Sequence, residues 1–118
     1  MRYSYQRIRR GFQHMKPGRR DRRHHVLITG AELQELKRHT ALMAESYGLD
    51  GRIERYQGKR ALGLYRWDLE CLLEVMETAL ADREEYPSEH TAGYLALKAL
   101  NTRLQAMYDK VYGKESAP

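Results

Sequence analysis

Apolar residues return at intervals of three and four in two C-terminal stretches, and this spacing limits the open folds more than any other feature. Leu69, Leu72, Leu73, Met76 and Leu80 mark the first stripe, widened by Cys71, Val75 and Ala79. Leu97, Leu100, Leu104, Met107 and Val111 mark the second. A period near 3.6 gathers such residues on one face of an α-helix, whereas a half-buried strand alternates them. The spacing predicts a helix over about residues 66–81, with Asp68, Glu70, Glu74 and Glu77 on its polar side. A polar connector, 82–87, contains Pro87. The last helix follows, with Ser88 as its expected N-cap and Gly113 as its stop.

An earlier helix is expected over 30–47. Thr29 and Glu32 match a Thr-x-x-Glu capping box, and Leu33, Leu36, Thr40, Met43 and Tyr47 share one face, with Gly48 as the stop. None of the three stripes can leave water alone, so they must cover one another. The expected fold is mainly α, a three-helix bundle with a basic N-terminal arm. Between the first two helices, glycines 51, 58 and 63 break the pattern. A short β-hairpin is expected there, with Ile53 and Tyr56 in one strand and Leu62 and Leu64 in the other; an irregular loop is the alternative. Val26-Leu27-Ile28 reads as a brief strand or as a hydrophobic staple. At 118 residues the chain suits one domain. It divides into an arm, 1–25, a helical domain, 26–113, and a frayed tail, 114–118.

Charge is segregated along this chain. Residues 1–25 hold nine Lys/Arg against one acid, a balance of +8, while the remaining 93 hold 12 against 15, a balance of −3. Arg outnumbers Lys eight to one in the arm, and Tyr3, Tyr5 and Phe12 are interleaved with the cations. Guanidinium forks match phosphate oxygens, and release of condensed counterions drives such binding. Rings between cations offer surfaces on which bases stack. The competing reading is a solvated tail that only aids solubility.

Other chemistries find little footing. The single cysteine, Cys71, lies beside an apolar stripe, where a structural thiol is the ordinary outcome. His14, His24, His25, His39 and His90 show no metal-ligand spacing, so no metal and no cofactor are expected. Neither a P-loop nor the Gly-x-Ser-x-Gly or His-Glu-x-x-His pattern occurs. No apolar run approaches the about 20 residues of a membrane span, and no apolar h-region follows the basic start, so a cytoplasmic protein is expected.

These observations lead to a non-catalytic nucleic-acid-binding accessory protein. Arg7, Arg9, Arg10, Arg19, Arg20, Arg22 and Arg23 are the first candidates for phosphate contacts, and Lys59 and Arg60 the second. DNA and RNA are not distinguished. The rivals are a small adaptor or inhibitor that docks on a protein, and a structural component of an RNA–protein assembly. Wide apolar stripes also raise the prospect of a homodimer.

Overall fold

The computed structural model describes residues 22–41 and 48–113. In chain order its elements are β1 (His24–Val26), α1 (Gly30–Thr40), α2 (Leu49–Arg55), β2 (Leu62–Leu64), α3 (Arg66–Ala81) and α4 (Ala92–Tyr108), followed by a π-helical turn, Asp109–Gly113. The molecule is mainly helical, with one small antiparallel sheet. Four helices stand where three were expected among the described residues.

The long helices follow their stripes. In α3, Leu69, Leu72, Val75 and Met76 are fully buried, and in α4 so are Leu97, Leu100 and Leu104. The two helices pack along each other, and α1 packs on both through Leu33 and Leu36. Helix α3 starts where expected because the Asp68 carboxylate accepts the Tyr65 backbone N–H at 2.9 Å, satisfying a donor the helix leaves open. Helix α4 starts later than expected. Thr91, not Ser88, caps it, with Oγ1 accepting the Tyr94 N–H at 3.3 Å. Ser88 Oγ instead accepts the His90 N–H at 3.1 Å, within the turn before the helix.

The capping box expected at α1 is absent. Thr29 makes no side-chain cap, and Glu32 reaches across to Arg103 of α4. The expected run of that helix through Met43 and Tyr47 falls on residues 42–47, outside the described residues.

The expected hairpin is corrected. Leu49 and Ile53 are 1% and 0% exposed at i, i+4 spacing on a helix of about two turns, so residues 49–55 bury a helical face rather than a strand face. Leu62–Leu64 is a strand as expected, but its partner is β1, not the Ile53–Tyr56 segment. Tyr56, extended just past α2, closes the intervening turn: its hydroxyl accepts from Ile28 N at 3.3 Å and donates to Arg60 O. Gly58 has φ +74°, and a Cβ there would stand 3.0 Å from Ile28 O and 3.1 Å from Leu33 Cδ2, so glycine is required by both backbone and space. The expected boundary between arm and body, at residue 25, falls inside β1. The arm up to residue 21 and the tail 114–118 lie outside the described residues.

Candidate nucleic-acid interface

Pairing of β1 with β2 brings two basic stretches of the sequence into one ribbon. The register sets His24 opposite Leu64, His25 opposite Gly63 and Val26 opposite Leu62. Side chains alternate across a strand. Val26 and Leu64 accordingly enter the core, at 3% and 0% exposed. The opposite face carries His25, which is exposed, over Gly63. Arg23 lies on that same face and runs across Gly63, where an added Cβ would stand 3.1 Å from its Nε. Glycine at 63 leaves the room the guanidinium occupies. Arg23 and Tyr65 flank the first pair, His24 with Leu64, at the open end of the ribbon, and α3 begins at Arg66.

Of the expected phosphate ligands, Arg7, Arg9, Arg10, Arg19 and Arg20 lie outside the described residues. Arg22 and Arg23 are exposed at the open end of the ribbon. Lys59 and Arg60 are exposed in the turn that enters β2, beyond the other end of three residue pairs that span about 10 Å. The ribbon therefore joins the last residues of the arm to the connector. None of these four cations pairs with a carboxylate of the described residues. Three of the body's cations are engaged with carboxylates: Arg38 with Glu35 and Glu85, Arg103 with Glu32, and Arg52 with Asp68 at 3.1 Å. Arg52 also donates to Gly63 O at 2.8 Å, so it fastens β2 to α2 and α3 from behind the ribbon.

Aromatic side chains edge the same corner. Tyr65 and Trp67 stack with ring centroids 4.9 Å apart and planes at 14°. Both are half-buried, and neither belongs to the hydrophobic core or to the partly buried side chains packed against it. His24 Nε2 lies 2.6 Å from the Tyr112 hydroxyl, which ties β1 to the C-terminal turn, and Arg66 stands 6.0 Å above the Tyr112 ring. Burial, then Arg22 and His25, lower the His24 pKa below its ordinary value. His24 thus gains charge only at a pH below the ordinary histidine range.

A second polar cluster escaped the sequence reading. Glu35 and His39 share one face of α1 and are both 8% exposed. The Tyr86 hydroxyl, 5% exposed as a residue, donates to Glu35 Oε2 and meets His39 Nε2 at 2.7 Å. A phenol carries one proton, so His39 must donate through Nε2–H. Burial and the Glu35 bond push the Tyr86 phenol pKa well up. Arg38 completes the carboxylate's partners. Every member of this cluster is thereby satisfied within the fold, which marks it as a fastening of α1 to the 82–91 segment. The i, i+4 spacing of Glu35 and His39 was visible; their meeting with Tyr86 was not.

Cys71 is 4% exposed, and burial, then Asp68, push its thiol up to about 12. It holds no thiolate for nucleophilic attack near neutral pH. Among the described residues, no group of three or more His, Cys, Asp or Glu has the arrangement to hold a metal ion. No helix among them is long and apolar enough to cross a membrane. Comparison with protein-family models, with curated proteins and with solved structures yields no match for the chain.

Proposed function

We propose that the protein is a non-catalytic nucleic-acid-binding accessory protein that holds the phosphate backbone through its arginine-dense leader and the turn at Lys59 and Arg60. The observation that carries this is the charge segregation, +8 over residues 1–25 from nine cations and one acid. Exposed cations at both ends of the ribbon, without a carboxylate partner among the described residues, support it, because such a cation is available to a phosphate without breaking an ion pair of the fold. Arg7, Arg9, Arg10, Arg19, Arg20, Arg22 and Arg23 make the main contacts, and Lys59 and Arg60 extend them. The helical body, a bundle built on α1, α3 and α4, is the scaffold. Affinity is mainly electrostatic and only weakly sequence-specific, since phosphate contacts position a protein without reading bases.

The test is affinity against salt. If about five phosphates are neutralised on duplex DNA, the log–log slope is about −4 to −5. Replacing Arg22, Arg23, Lys59 and Arg60 together with Gln, four of the nine cations that share those contacts, should flatten it by about 2. A slope near zero for the unaltered protein overturns the proposal. So does a cellular protein complex that survives both nuclease treatment and deletion of residues 1–21, which would identify an adaptor instead.

A further inference from the structure

We infer that Tyr65 and Trp67 form a stacking platform for an unpaired base, so that the nucleic acid held at the ribbon is a single strand. This rests on the nucleic-acid reading above and adds to it the strandedness of the ligand. The pair is parallel within 14° at 4.9 Å, so it presents flat ring surface as a unit. It stands outside the hydrophobic core and outside the side chains that pack on it, so burial in the fold does not account for a Trp and a Tyr placed together there. It also adjoins free positive charge. Tyr65 shares the outer face of the ribbon with Arg23, which crosses Gly63 two residues before it. Arg66 sits between the two rings in sequence.

Single strands are held by this combination: cations along the backbone and aromatic rings on which successive bases lie. A duplex keeps its base faces covered by their neighbours in the stack, so it can engage the cations but not the rings. The body's other aromatic contacts are differently disposed. Tyr86 with Tyr94 is edge-on, at 78°, and Tyr86 is itself buried. The ribbon corner is where a half-buried flat aromatic pair adjoins the exposed Arg22 and Arg23.

Trp67 is the single tryptophan of the chain, so its emission reports this position alone. The full-length protein is titrated with oligothymidine, with oligouridine and with a duplex of the same length, reading both Trp67 emission and affinity. Either single strand should quench Trp67 and bind more tightly than the duplex, which should leave the emission nearly unchanged. A response to both single strands assigns recognition to base faces and phosphates; a response to one alone adds selection by the sugar or the 5-methyl group, with the platform intact. Trp67→Ala should weaken single-strand binding about 5- to 100-fold, the range for losing one stacked base, while leaving duplex affinity and the salt slope alone. Trp67→Phe, which keeps a ring, should restore most of the loss. Thermal unfolding of both variants, expected within a few degrees of the parent, separates lost stacking from lost fold. Equal affinity for single strand and duplex, or a Trp67→Ala variant that binds single strands normally, overturns the inference. Steep salt dependence with an indifferent Trp67 removes the platform alone, whereas no salt-dependent binding to any of the three removes the broader proposal as well.

Discussion

Gly93→Ala should destabilise the protein, although alanine is the better helix former. Gly93 is the second residue of α4, and a Cβ there would stand 2.9 Å from both carboxylate oxygens of Glu35. Ordinarily the exchange stabilises a helix by about 0.5–1 kcal/mol. Glu35 is not free to yield, because Tyr86 and Arg38 both donate to it in a buried setting. Displacing it weakens a hydrogen bond to a charged group, which is a loss of about 1.5–3 kcal/mol, so the net change is about 1–2 kcal/mol against the fold. For a domain of this size that lowers Tm by about 4–8 °C. The sign should reverse once the obstacle is gone: in a Glu35→Ala background, Gly93→Ala should stabilise by about 0.5–1 kcal/mol. Urea unfolding followed by circular dichroism on all four proteins measures both values. Stabilisation by Gly93→Ala in the otherwise unaltered protein, or the same sign in both backgrounds, refutes the reasoning.

Tyr86→Phe removes the hydroxyl that serves both Glu35 and His39. It should cost about 2–3 kcal/mol in unfolding free energy, more than an exposed Tyr→Phe change. Acid should weaken the fold through His39. Burial, opposed by Glu85 and Glu35 but reinforced by Arg38, lowers its pKa below 6.5, so the unfolded chain binds the extra proton first. His39 stabilises fully above about pH 6.5 and loses this as pH falls toward its folded value; His24 acts with the same sign. A His39→Gln variant should show a flatter stability profile below pH 6.5, and an unchanged one would contradict the assignment. Cys71, raised to about 12 and buried, should resist thiol reagents in the folded protein and react quickly in denaturant; rapid labelling of the native state would place the thiol at the surface. The Asn101 side-chain carbonyl is buried without a hydrogen-bond partner. Asn101→Ala should therefore raise stability by about 1 kcal/mol in the same urea assay, through relief of that group and better helix propensity.

Helices α3 and α4 were legible because their signals are local. The stripe from Leu69 to Leu80 and the acid at position 68 lie within the helix they specify, and the expected span 66–81 coincides with Arg66–Ala81. The start of α4 was misplaced because Ser88 and Thr91 are both good caps by type. The choice between them depends on how the 82–91 segment leaves Tyr86 buried beneath α1. In the connector, Leu49, Ile53 and Tyr56 carried a helical spacing of four and three, but glycine 51 within so short a segment hid it.

From the order of residues alone follow the amphipathic faces, the free thiol's apolar setting and the separation of a basic leader from an acidic body. These depend on spacing and composition along the chain, which do not change on folding. Which strand pairs with Leu62–Leu64, which acid Arg103 finds and which hydroxyl reaches Glu35 are contacts between residues 36 to 71 positions apart. Only the packing of α1 on α3 and α4 decides these, because burial of the apolar faces fixes the distances at which polar groups then meet. That packing brings Arg22 and Arg23 to the same ribbon as Lys59 and Arg60, a nearness that no periodicity along the chain encodes.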